Sequence, residues 1–412
     1  MPKLQVTENV EFTAGADEAL GARFPKAIRR SSLPGNRVRR GILVVAMLAA
    51  VCSAARAGDS IPPGPTCPGY LSYIPTWNIP TDNGFLCFVG SDPVQSGTTI
   101  IMTPVVPVVI RVLGANGTVE GISDPTKPLY VNPTKTQDFS ALSAVLESPV
   151  FQAYDFKLGP TSLGNMQWGQ AVEEASFWKY PRVNFKDWNV IMAPLPFPAV
   201  TLDVPYGNWY PGGSTPHFYG IDQNVLKPFL EKQMAATPAG MAPIYLTYNI
   251  SEYPPGNPAG GPTWGFHETY QHTPGIFDSF IYATYLDTPQ PNSDLMPLSH
   301  EVAEFMQDPF GNNPVQGWPQ AWTFPLPWKP PYTFTKCQTN LEAGDPLEDR
   351  FGEPSEMQLP LTNSTMTYNF QNEVTASWLM QASFSVNGWY TLKGPVDKEF
   401  AAPAPKCPGV LK

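Results

Sequence analysis

The chain has 412 residues, 42% hydrophobic and 12% aromatic, which is enough apolar material for a sizeable core and excludes general disorder. A net charge of −10 and a pI near 4.9 argue against a nucleic-acid binder. Forty-nine prolines and 33 glycines, with only 15% charged residues, predict many loops and few long helices.

The N-terminus reads as an export signal. Arg39 and Arg40 precede the apolar run Ile42 to Val51, and Ala55-Arg56-Ala57 supplies small residues for cleavage. The run is too short to span a membrane. Residues 1–57 are therefore expected to be an extension and signal peptide, and the mature chain to be secreted or periplasmic. Residues 58–124 read as a Pro/Gly-rich and β N-terminal segment, and 125–412 as the main domain. Cys52 falls in the leader, leaving Cys67, Cys87, Cys337 and Cys407. An even count in an exported chain favours two disulfides. Of the three possible pairings, the local one, Cys67–Cys87 and Cys337–Cys407, is preferred.

Thr99 to Leu113 is β-branched and apolar but carries Pro104 and Pro107, so it reads as a strand pair or an edge strand, followed by a turn at Asn116-Gly117. Helices are expected over about 139–152, 166–178 and 223–234 from apolar residues at helical spacing. Short apolar runs at 189–194, 199–204, 243–250 and 279–286 read as strands. Residues 309–336, with Trp318, Trp322 and Trp328 among prolines, read as a long loop, ordered by its own packing, that walls a cleft; the tryptophans are expected to pack in the interior, with stacking on a carbohydrate as the alternative. A last helix is expected over about 371–381.

The chemistry-bearing stretch is Leu298-Ser-His-Glu-Val-Ala-Glu-Phe-Met-Gln-Asp-Pro309. On a helix, His300 and Glu304 lie one turn apart on one face, with Glu301 beside them. This is the layout of the zinc-peptidase helix H-E-x-x-H with Glu in place of the second His, a substitution zinc chemistry permits. Glu342 and Asp345 sit in a Gly-containing turn that can present a further carboxylate ligand. Glu373 is a candidate ligand or supporting group. Histidine is scarce: His267 can donate to the centre or orient a substrate, whereas His217 and His272 suggest no role. Helices on a twisted mixed sheet, with the metal helix beside an edge strand, make an α+β zincin-like fold.

Several stretches resemble an uncharacterised family of secreted bacterial and fungal proteins. They are Glu147-Ser-Pro-Val-Phe-Gln152, Gln167-Trp-Gly-Gln-Ala-Val to Phe177-Trp178, Gly265-Phe-His267, Ser299-His-Glu-Val-Ala-Glu to Asp308-Pro-Phe310, Cys337-Gln-Thr-Asn-Leu-Glu-Ala-Gly-Asp-Pro-Leu347 and Val386-Asn-Gly-Trp-Tyr390. The His300 stretch also resembles, over a short span, the plant phosphate-induced, EXORDIUM-like proteins. The first resemblance implies that His300, Glu301, Glu304, Glu342 and Asp345 act together. It also implies a Tyr-His pair before the final helix, where this chain has Tyr368-Asn369.

The expected activity is a metallopeptidase-like hydrolysis. His300, Glu304 and Asp345 or Glu342 would hold one divalent cation, zinc first and calcium as the alternative, with Glu301 as general base. The substrate would be an extracellular protein or peptide. The rival is a non-catalytic extracellular module binding a wall polymer or a protein partner.

Overall fold

The computed structural model describes residues 70–407, apart from residues 72, 82–83, 95, 130–138, 181–184, 213–216, 258–261, 289–292, 325–331, 349–355, 361–366, 396–399 and 401. The expected leader, and Cys67 with it, lie outside the described residues. The chain first runs β1 (Tyr70–Leu71), β2 (Thr76–Thr81), β3 (Gly84–Val89), β4 (Gly97–Leu113), β5 (Val119–Ser123), α1 (Ala141–Glu147), β6 (Tyr154–Leu158), β7 (Thr161–Met166) and α2 (Trp168–Phe177). It continues through β8 (Trp188–Pro196), β9 (Val200–Val204), β10 (Trp209–Pro211), β11 (Tyr219–Asp222), α3 (Gln223–Ala236), β12 (Ile244–Tyr248), β13 (Ile250–Tyr253), β14 (Gly265–Thr273) and β15 (Ile276–Tyr285). Then come α4 (Met296–Gln307), β16 (Pro314–Phe324), β17 (Tyr332–Asn340), α5 (Asp345–Glu348), β18 (Glu356–Pro360), β19 (Thr367–Gln371) and α6 (Ala376–Leu379).

This is a mixed α+β fold in which strands outweigh helix, built on an eight-stranded sheet of both parallel and antiparallel pairs. Its centre is β4, not an edge strand as its prolines suggested. One side of β4 carries β8 from Gly97 to Val105 and then β9 from Val108 to Val112. The other carries β12 at Val105–Pro107 and β5 at Ile110–Leu113. Pro107 lies where β8 has ended and β9 has not begun, so that side asks for no donor there. The stretch set apart as an N-terminal segment thus supplies the middle of the sheet, and residues 65–412 form one compact unit.

Parallel partners β12 and β15 are apolar runs buried along almost their whole length, as expected for strands covered on both faces. At Asn249, in the left-handed region at φ 52°, the chain leaves the main sheet, and β13 joins β11 in a separate three-stranded sheet. Antiparallel β14 pairs with β15 alone among the described residues, and its other edge has no strand partner.

Helix α4 is buried along its full length and packs on β14, β15, β19 and α2. Pro297 in its first turn needs no hydrogen-bond acceptor, and Pro309 follows its end. A Cβ on Gly169 would stand 2.9 Å from Met306 Cγ, so the glycine is what lets α2 close on α4. The contact is pinned at both ends: Trp168 Nε1 donates to Ser299 O at 2.9 Å, and Gln307 Nε2 donates to Ser176 Oγ at 2.9 Å. Burial of this kind is worth roughly 25 cal/mol per Å² of apolar surface, which fixes the helix that carries the chemistry.

Two sequence readings are corrected here. The long tryptophan loop is an antiparallel hairpin of β16 and β17. Trp318 is fully buried in it, donates through Nε1 to Asn340 O at 3.0 Å and packs on Trp378, so its ring is not offered to a polymer. The Trp322 side chain and all of Trp328 lie outside the described residues. The last helix begins at Ala376, because Gln371 ends β19 and Val374 N–H is taken by Ala343 O at 3.0 Å. Cys337 and Cys407 form the expected disulfide, tying the C-terminal segment to β17. Cys87 is also disulfide-bonded. Among the described residues, no helix is long and apolar enough to cross a membrane.

Candidate metal centre

Four segments meet beside the bare edge of β14. Helix α4 brings His300, Glu301 and Glu304. Strand β14 brings His267, the turn before α5 brings Glu342 and Asp345, and β19 brings Gln371. They line a cavity of about 610 Å³. Phe310 and Gly311, just before the hairpin, and Gln338 on β17 line it too, so the start of that region does wall the cleft.

The helical spacing places His300 and Glu304 as expected. His300 Nε2 is 3.2 Å from Glu304 Oε1 and 3.9 Å from Asp345 Oδ1. The three ligand atoms lie within 4.8 Å of one another, as do those of a second group, His267, Glu301 and Glu304. Both groups can hold a metal ion. The Asp345 turn therefore lies on the same side of the molecule as the His300 imidazole.

The close approach depends on glycine. A Cβ on Gly344 would lie 2.3 Å from His300 Nδ1, so no side chain fits there. The Gly344 amide donates to Glu304 Oε1 at 3.1 Å and its carbonyl accepts Gln371 Nε2 at 2.7 Å. That second bond orients the Gln371 amide so that its Oε1 accepts His300 Nδ1–H at 3.1 Å, leaving His300 Nε2 to face the carboxylates. This is how a ligating imidazole is usually held: one ring nitrogen anchored to a carbonyl, the other turned to the cation. Gln371 was not foreseen from the sequence.

His267 stands closer to the centre than its sequence context suggested. Nδ1 is 3.3 Å from Glu301 Oε2 and 3.7 Å from Glu304 Oε2, and Nε2 is 3.0 Å from Asp308 O. A Cβ on Gly265 would lie 2.7 Å from Glu301 Cγ, so β14 needs glycine there to come this close. Glu342 lines the cavity but belongs to neither ligand group. Glu373 is fully buried and acts on His300 through its charge, again outside both groups. Asn369 is bonded to Ser293 and does not line the cavity.

The electrostatics are those of acids crowded into a low-dielectric pocket. Burial disfavours the His267 cation. The Glu301 hydrogen bond and the charges of Glu342, Glu301 and Glu304 outweigh it and push the pKa to about 10. His300 is raised well above its ordinary value, burial again opposing and Glu304 prevailing. Burial also resists charge on Glu304, but the His300 charge and hydrogen bond hold it below the usual carboxylate range. Burial pushes Glu301 up, the His267 bond only partly opposing. Burial and the Glu304 charge push Glu342 well up. The site gathers more negative charge than its two imidazoles neutralise, which is the donor set a divalent cation fits.

No family model, curated protein or solved structure matches this chain.

Proposed function

We propose that this protein is a secreted, zincin-like, metal-dependent hydrolase acting on peptide bonds. The observation that carries the reading is the meeting of His300 Nε2, Glu304 Oε1 and Asp345 Oδ1 within 4.8 Å at the wall of an open cavity. A divalent cation bound there, zinc first among candidates, would lower the pKa of water to about 7 and polarise a carbonyl.

The chain's own groups do the rest. Gln371 and Gly344 hold His300 and Glu304 in place before any ligand arrives. Glu301, one residue from the ligand His300, is the group placed to take a proton from water and return it to the leaving amine. Burial raises its pKa towards the range where a base works best. His267, anchored on Asp308 O, orients the Glu301 carboxylate and brings positive charge next to it. The bare edge of β14, whose residues 265–269 line the cavity, fits an extended peptide adding a strand to the sheet. Export fits the Cys337–Cys407 disulfide. Of the three tryptophans offered for a wall polymer, Trp318 is buried and turned inward.

The test uses purified full-length mature chain. Metal content by mass spectrometry and cleavage of an unstructured protein such as casein are measured for wild type, Glu301→Gln and His300→Ala. Wild type should bind metal and cleave. Glu301→Gln should keep the metal and lose about 10²–10⁴-fold in rate. His300→Ala should lose cleavage together with the ion held by His300, Glu304 and Asp345. An active Glu301→Gln protein removes the base assignment, and wild type loaded with one equivalent of metal that cleaves no peptide removes the activity.

A further inference from the structure

The geometry points to a second divalent-cation site, at His267 Nδ1, Glu301 Oε2 and Glu304 Oε2, adjoining the first and sharing Glu304 with it. Only the existence of the first site is taken from the reading above.

Glu304 presents a different oxygen to each imidazole. Oε1 is 3.2 Å from His300 Nε2, and Oε2 is 3.7 Å from His267 Nδ1. Glu301 straddles the same gap, with Oε1 3.9 Å from His300 Nε2 and Oε2 3.3 Å from His267 Nδ1. Two carboxylates that each turn one oxygen towards each of two imidazoles form the frame of a bridged pair of ions, which sit about 3.5–4 Å apart in two-metal sites. One ion alone uses only one side of that frame.

The hydrogen bonds of His267 make the same point. Its Nε2 faces the Asp308 carbonyl at 3.0 Å, a group that only accepts, so Nε2 carries the proton. Nδ1 faces the oxygens of Glu301 and Glu304, which are acceptors as well, so something electron-poor must stand between them, a proton or an ion. A proton on Nδ1 makes one directional bond, the one to Glu301, and does little for Glu304 Oε2. A divalent ion coordinates all three atoms. His300 is held the same way, Nδ1–H on Gln371 Oε1 and Nε2 towards carboxylates. The two imidazoles are thus alike in arrangement, a ring N–H on a carbonyl-type oxygen and the other nitrogen on the shared acids.

Charge counting agrees. Glu301, Glu304, Glu342 and Asp345 line the cavity, and no Lys or Arg does among the described residues. The fifth acid on its wall, Glu268, is already paired with Lys227. The formal charge of the four remaining carboxylates is balanced by two divalent ions and half balanced by one. Mixed imidazole and carboxylate donors suit first-row divalent ions, Mn²⁺ and Zn²⁺ among them.

A consequence for the reaction follows. With Glu301 as a ligand of the second ion, the base assigned above is engaged. Cleavage should therefore rise as the first equivalent of metal binds and fall as the second does.

The experiment is a Mn²⁺ titration of metal-stripped full-length protein, followed by equilibrium dialysis and electron paramagnetic resonance. Wild type should bind two Mn²⁺ per chain. The six-line signal of an isolated ion should give way to that of a coupled pair as the second binds. His267→Ala should bind one ion with the isolated-ion signal. One Mn²⁺ per chain at saturation of the wild type, or two ions without coupling, overturns the proposal, and neither result needs the variant to fold. The outcomes separate from those of the proposed activity. One ion with cleavage leaves the hydrolase standing and removes the second site. Two coupled ions, with no cleavage at the first equivalent of metal either, do the reverse.

Discussion

Two helices packed against each other, α2 and α4, each bury a pair of glutamates, and one of the four, Glu304 on α4, escapes the rise that burial imposes on the other three. On α2, Glu173 and Glu174 meet neutral partners: Glu174 accepts from the Gln170 amide at 2.8 Å, and the Trp77 indole stands near Glu173. Burial dominates, pushing Glu174 to about 7 and Glu173 well up, so these acids settle the cost by holding protons. On α4, Glu301 and Glu304 face two imidazoles and share a pocket with Glu342 and Asp345. Glu304 stays below the usual carboxylate range there, kept charged by His300. Burial alone therefore does not mark a functional acid. What distinguishes α4 is that its acids converge with two imidazoles on a cavity, whereas those of α2 meet only a neutral amide and an indole.

The comparison breaks most visibly at His300. His300→Ala should abolish binding at the His300, Glu304 and Asp345 site and cost about 3–5 kcal/mol in urea unfolding, because Glu304 is left buried without its main counter-charge. A chelator should lower the unfolding midpoint of wild type more than that of the variant. Equal chelator sensitivity in the two proteins would contradict the centre. Gly344→Ala comes next. Its new Cβ would press on the His300 ring, so metal affinity should collapse and stability fall by about 1–3 kcal/mol. Retained metal stoichiometry in a folded Gly344→Ala protein would show that the turn has room to yield. Gln371→Leu should act more gently, weakening metal binding about 10–100-fold by competition with a chelating dye, since every ligand stays and only the amide that joins His300 Nδ1 to Gly344 O is lost.

How much of this was readable in the sequence follows from how local each signal is. The α4 spacing needs only a helix, and the chain forms one over Met296–Gln307. The Ala343-Gly344-Asp345 turn was legible as a turn. Its arrival beside His300 depends on the backbone contact of Gly344, which no local pattern encodes. His267 enters through strand register: it stands opposite Ile281 on an edge strand that α4 meets closely at Gly265. Gln371 was read as the start of a helix because Val374, Trp378 and Leu379 have helical spacing. Pairing with β18 claimed it for a strand instead. The β16–β17 hairpin was hidden by its prolines, as the centrality of β4 was by Pro104 and Pro107. Proline removes donors, but only where a neighbour asks for one.

The smallest effect lies on the α2 side and carries a definite sign. The Glu174 pKa is about 7 in the folded chain against 4.5 for the ordinary group, so between those values the folded state keeps a proton that the unfolded state has released. Its contribution to stability therefore falls as pH rises through that window and is constant outside it. Glu252 on β13, raised to about 7 mainly by burial, adds a fall of the same sign. Glu174→Gln keeps the shape and an amide that can still meet Gln170. In metal-saturated protein it should change stability little at pH 5, raise it at pH 8 and leave the slope due to Glu252 in place. Urea midpoints for wild type and Glu174→Gln at pH 5, 6, 7 and 8 give the difference directly. If the two curves stay parallel across that range, Glu174 is charged throughout, and the contrast between proton-holding and cation-holding acids fails at α2 while the α4 centre is untouched.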